Sequence, residues 1–251
     1  PTLPDGLDEP AQVAAIEQLG GSRYSYDKLT RRSVVAPHIA RVPGVAPTDA
    51  LAPLRTVDAW FVVYADLDAV SDRGFLNSLL TGQQDEGEAS QLEPSQLQVR
   101  GILFDAERES FGRLTYGLLD RVRISATGRS FWSRTDEAIV VAAEVDRRFL
   151  VDEEFPNQWS PIEREAGRIE SGPAEPYEGW GLYIKITRMR RPSDALLVEL
   201  HMAFSEPVKW FRGTNQLGAK LPAALQSQIR EARREMMRAS KSRGTSKSRE
   251  K

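Results

Sequence analysis

Leu217, Leu221, Leu225, Ile229, Ala232 and Met236 recur at steps of three and four residues. On a helix of 3.6 residues per turn they form a single apolar stripe, which is stable only against another apolar surface. The preceding segments supply one. Residues 180–190 and 195–205 alternate, with Leu196, Val198, Leu200, Met202 and Phe204 on one face, and a turn around Pro192-Ser193-Asp194 joins them as a hairpin. A striped helix following alternating strands dictates an α+β fold. The expectation is a curved, mainly antiparallel sheet packed against a long C-terminal helix, with a short N-terminal helix and arm. Pro222 costs least at the first helical position, so the main helix is expected to start there, with Asn215 to Lys220 as a preceding turn.

The rest of the chain fits this frame. Residues 1–8 read as a loose arm. Asp8 caps a short helix carrying Val13, Ile16 and Leu19, which Gly20-Gly21 ends. Residues 33–47 are extended but interrupted by Pro37, Pro43 and Pro47, which restricts them to an edge strand or an arm lying along the body. In 57–68 the run Trp60-Phe61-Val62-Val63-Tyr64 is nearly continuous, as in a strand covered on both faces. Ser71 starts a short helix reaching about Leu80, and 82–95 is a polar, acidic surface loop. Further strands are expected at 97–105, 113–128 and 138–146. Between Arg147 and Gly179, four prolines and the aromatic residues Phe155, Trp159 and Tyr177 mark a long connection, read as a lid or a cover packed on the sheet.

Charge is unevenly distributed. The net charge is -2, yet residues 230–251 hold nine Lys/Arg against three Asp/Glu, which is +6 and leaves −8 for the remainder. Residues 1–239 are read as a single domain and 240–251 as a disordered basic tail that an anionic surface would attract. No sequence-specific nucleic-acid pattern is present, and no apolar run reaches the roughly 20 residues of a transmembrane helix. The absence of cysteine removes disulfides and thiolate chemistry. A chain opening at Pro1 reads as periplasmic or secreted if a signal peptide has been removed, and otherwise as cytoplasmic.

Chemistry-bearing residues are few. With only His38 and His201, no metal-spaced motif exists, and neither a metal nor a cofactor is expected. Gly128-Arg129-Ser130-Phe131-Trp132 lacks the second glycine of a nucleophile elbow. Asp152-Glu153-Glu154 is an acidic run without the defined separation that glycosidase chemistry needs. The hairpin is more suggestive. Glu199 and His201 share one strand face, and a tight turn brings Lys185 opposite Glu199 and Tyr183 opposite His201. Three readings follow: a solvated sheet face with a cross-strand ion pair, a general acid–base site, or the polar contacts of an apolar pocket.

Residues 195–234 run from a strand through Ser205-Glu206-Pro207-Val208-Lys209-Trp210-Phe211 and Asn215 to Lys220-Leu221-Pro222 and the amphipathic helix. This stretch resembles the end of START-like (helix-grip) domains; otherwise the chain resembles a bacterial protein that implies no activity. The START-like resemblance implies a hydrophobic cavity between sheet and helix for a lipid or other apolar molecule. The expected function is therefore non-catalytic binding of such a ligand, with Tyr183, Lys185, Glu199, His201, Trp159 and Tyr177 as candidate contacts. The alternatives are surface association through the basic tail, and a hydrolase or isomerase using Glu199 and His201.

Overall fold

Antiparallel pairing between neighbours in sequence organises most of the chain. The computed structural model describes residues 2–33, 36–43, 53–76, 88–165, 168–211 and 216–249. Val34, Val35, Pro47, residues 77–80 of the expected short helix, 82–87 of the expected loop, Asn215 and residues 250–251 lie outside this set. The elements are α1 (Glu9–Gly20), α2 (Tyr26–Leu29), β1 (His38–Arg41), β2 (Leu54–Val63), β3 (Glu88–Gln91), α3 (Pro94–Gln98), β4 (Glu109–Leu118), β5 (Val122–Arg134), β6 (Ala138–Val145), β7 (Gln158–Glu165), β8 (Arg168–Ser171), β9 (Glu175–Pro176), β10 (Trp180–Arg188), β11 (Leu196–Ser205) and α4 (Gln216–Arg249). The sheet runs β1-β2-β11-β10-β6-β5-β4-β3, with β7 attached to β5 and carrying β8 and β9. A curled antiparallel half-barrel with a long C-terminal helix and a short N-terminal helix is the helix-grip arrangement.

The central strands are buried on both sides, for a reason visible along β2. Phe61 and Val63 face the concave side, where they join Val198 of β11, Ile184 and Ile186 of β10, and Leu217, Leu225, Ile229 and Met236 of α4 in one apolar cluster. Trp60 and Val62 face the convex side, where Leu197 meets Leu3, Ile16 and Leu19 of the N-terminal region. The uninterrupted β-former run thus serves two cores. A third cluster gathers Leu92, Leu97, Ile102, Phe111 and Phe149.

Asp8 caps α1 as the sequence indicates, accepting the Ala11 N–H at 2.9 Å, and β1 is the edge strand read from its flanking prolines. Four local expectations are corrected. Residues 97–105 are not a strand: Pro94 opens α3, and Glu93 and Gln96 form a reciprocal capping box. Residues 113–128 are not one strand but the β4–β5 hairpin, which turns at Leu119 and Asp120, both at φ 53. Leu118 pairs with Val122, and Tyr116 with Ile124. Partners therefore share parity, so the alternation runs through the turn and conceals it. The 147–179 connection is not without strands: it contains β7, β8 and β9, and β7 pairs with β5 through Val122↔Pro161 to Ser125↔Gln158. Finally, α4 begins at Gln216 and takes Pro222 inside. Buried Leu217 anchors the added turn, while Pro222 is exposed and needs no packing partner.

The α4 stripe makes a direct prediction. Ile229→Ala should destabilise the fold by about 2–5 kcal/mol through the cavity left under the helix. Gln228→Ala, at an exposed position of α4, should change stability by less than about 0.5 kcal/mol. Urea denaturation of both variants measures the difference.

Candidate functional site

The hairpin register places Tyr183 opposite His201 and Lys185 opposite Glu199. All four lie on the convex face, away from α4. There the N-terminal segment covers the second pair. The Glu199 carboxylate accepts the Leu3 N–H at 2.9 and 3.2 Å. Lys185 Nζ donates to the Leu3 carbonyl at 2.6 Å and pairs with Asp5 at 2.7 Å. Glu199 is 0% exposed, Lys185 4% and Leu3 2%. The arm expected to be loose is pinned here, and the Lys–Glu pair is a clamp on its backbone. Burial pushes the Glu199 carboxyl above its ordinary range, opposed by the Leu3 N–H and the charges of Lys185 and His201.

His201 has a different partner. Its Nδ1 lies 2.7 Å from Asp58 Oδ1, across the β11–β2 pairing that sets Asp58 opposite His201. The Trp60 ring meets the imidazole edge-on at 5.3 Å, and Tyr183 lies at 6.0 Å, its hydroxyl pKa raised by burial. His201 Nε2 is buried and has no hydrogen-bond partner among the described residues. Asp58, Tyr183 and His201 line an open cleft of about 480 Å³ with Thr56, Phe131 and Glu144. The proposed acid–base trio is thus divided: Glu199 serves the arm, and His201 is oriented by Asp58. The signal for Asp58 was present in the sequence, as the one charged residue in the strand run Thr56-Val57-Asp58-Ala59-Trp60-Phe61.

Trp159 and Tyr177 lie in the core on the α4 side. Tyr177 stacks on Trp210 at 5.6 Å, and Trp159 meets the same ring edge-on at 6.1 Å. Both are buried, and burial raises the Tyr177 hydroxyl pKa well above the ordinary value. The acidic run at 152–154 is engaged by Arg100, which forks onto Asp152 at 2.7 and 2.9 Å and reaches Glu154 at 3.0 Å. That guanidinium holds the Asp152 carboxyl down at about 2. Among the described residues, no group of three or more His, Asp or Glu side chains is placed to hold a metal ion.

The sheet–α4 interface is filled by the first apolar cluster. Space on the concave face lies beside it, over β3 to β6. The inward positions there are small: Ser110 and Gly112 of β4, Ala126, Gly128 and Ser130 of β5, and Ala143 of β6. With Leu114 and Trp180 as walls, they border an open groove of about 230 Å³. Gly112 and Gly128 face each other, and the Ser110 and Ser130 hydroxyls meet at 2.7 Å. A Cβ on Gly128 would stand 2.9 Å from the Glu144 carbonyl oxygen, so the close approach of β5 and β6 requires glycine.

No protein-family model matches the chain, and no curated protein matches it. Among solved structures, it aligns with the human StarD13 (DLC2) lipid transfer and protein localization domain at 10% identity and TM-score 0.40, over 77% of this chain and 88% of that one. Human STARD10 aligns at 8% identity and TM-score 0.38, over 92% and 80% of the respective chains. CalU16 from Micromonospora echinospora aligns at 13% identity and TM-score 0.31, over 84% and 95%.

The clamp predicts a pH signature. In the ordinary carboxylate range the unfolded chain releases the Glu199 proton first, while the folded chain retains it to higher pH. The wild type should therefore lose stability relative to Glu199→Gln as pH rises from about 4 to about 7. Urea unfolding across this range tests the sign; a wild-type advantage that grows with pH contradicts it.

Proposed function

We propose that the protein binds a slender apolar molecule, such as a lipid acyl chain, in the concave groove over β4, β5 and β6. The observation that carries this reading is the change in side-chain size along one continuous sheet face. Under α4, the inward positions are filled by large residues such as Phe61, Ile184 and Val198. Over β4 to β6 the same face carries Gly112, Ala126, Gly128 and Ala143, which leave the groove open. Its 230 Å³ lies below the roughly 300–1,000 Å³ of a typical small-molecule pocket, which favours a narrow chain over a bulky ring system. Each methylene buried there contributes about 0.8 kcal/mol. The paired Ser110 and Ser130 hydroxyls lie among the small residues, and Ser90, Gln91, Arg113 and Arg129 add polar groups to the groove's lining. The same ligand class is implied by the START-like resemblance of residues 195–234.

Native mass spectrometry after incubation with a mixed lipid extract should show a bound mass that organic extraction releases. Ser130→Phe should reduce uptake about tenfold, since displacing two methylenes removes roughly 1.6 kcal/mol, while Ser130→Val keeps the strand and most of the space. Absence of uptake by the wild type, or undiminished uptake by a folded Ser130→Phe variant, would overturn the reading.

A further inference from the structure

A second opening lies where α4 passes the end of β2, bordered by the segment that leaves α2. It is an open cleft of about 530 Å³ lined by Arg31, Arg32, Arg230, Arg233 and Arg234, and no Asp or Glu is among its lining residues. Five guanidinium groups around one cleft repel each other unless an anion offsets them.

Arg233 is the unusual member. It is 7% exposed and is held by three backbone carbonyls: Nε donates to Val62 at 3.0 Å, and the terminal nitrogens donate to Ala36 at 2.7 Å and Pro37 at 2.6 Å. A guanidinium has five N–H donors, so these bonds leave part of its donor set unused. No carboxylate pairs with it among the described residues, and burial alone lowers its pKa to about 10. Neighbouring His38 reports the same field: burial, then Arg233 and Arg230, hold its imidazole below the ordinary value. Arg31 and Arg230 are exposed and form no ion pair among the described residues. Arg32 pairs with exposed Asp194 and lies over the Tyr64 ring, and Arg234 approaches Glu231 at 3.9 Å. Exposed pairs of this kind are weak and readily exchanged for a better acceptor.

We propose that this cleft binds a single phosphate-bearing group, either a lipid headgroup or a soluble phosphate ester, with Arg31, Arg230 and Arg234 as its ligands and Arg233 fixing the local charge. Planar guanidinium forks match tetrahedral oxyanions better than any other side chain does. The confined cleft suits one anionic group. The site is separate from the basic end of α4 and from the concave groove.

Cosedimentation with phosphatidylcholine vesicles, plain or doped with phosphatidic acid, tests the proposal on the full-length protein. Binding is expected only to doped vesicles. It should fall at least about tenfold in the combined variant Arg31→Ser, Arg230→Ser and Arg234→Ser, and in high salt. These residues are exposed, so the fold should persist, as circular dichroism would confirm. A second variant, Arg243→Ser, Lys247→Ser and Arg249→Ser, should bind like the wild type. Competition by glycerol phosphate identifies a soluble phosphate ester as sufficient; failure to compete identifies the headgroup in its bilayer. The proposal is overturned if neither probe binds, if the cleft variant binds as well as the wild type, if loss follows only from the 243–249 substitutions, or if an oligonucleotide binds in preference to both probes.

Discussion

Burial of the central strands on both faces is the constraint from which the architecture follows. Once β2, β11 and β10 pair, they present apolar side chains in both directions, and neither face is stable in water. The concave side is closed by α4 through Leu217, Leu225, Ile229 and Met236. The convex side is closed by α1, α2 and Leu3. A sheet that must be covered twice needs material from both chain ends, so the N-terminal arm and the C-terminal helix meet the same strands from opposite sides.

This closure places charged groups where they must be satisfied. Glu199 sits in the middle of the doubly covered hairpin with no exposed surface. A lone carboxylate would be costly there, but Lys185 and the Leu3 backbone provide charge and hydrogen bonds. Arg233 solves the equivalent problem beneath α4 with backbone carbonyls in place of a counter-charge. The contrast gives the two positions different chemistry: the first has a charged partner nearby, whereas among the described residues the second has no carboxylate paired with it and lies beside a surface opening.

The proposed binding groove arises from the same geometry. Curling brings the inward faces of β4 to β6 toward the space beside α4, and small residues there prevent the core from filling it. Large residues at those positions would extend the first apolar cluster across the whole concave face. The Asp58–His201 pair lies on the opposite face, so its cleft and the groove are separated by the thickness of the sheet.

The sequence by itself determined the α+β class, the C-terminal stripe, the β10–β11 hairpin with Lys185 opposite Glu199, the edge position of β1 and the cap on α1. These are local signals: residue period, turn chemistry and capping side chains act over a few positions. It also indicated the double burial of β2 through Trp60 to Tyr64. Only the tertiary structure decided which face of the hairpin looked at α4, because alternation separates two faces without saying what covers each. It also decided that Leu119 and Asp120 break one apparent strand into two, since partners of equal parity keep the alternation intact. Leu3 on Glu199, Asp58 beside His201, and five arginines around one cleft join residues distant in sequence, and no local pattern encodes such a meeting.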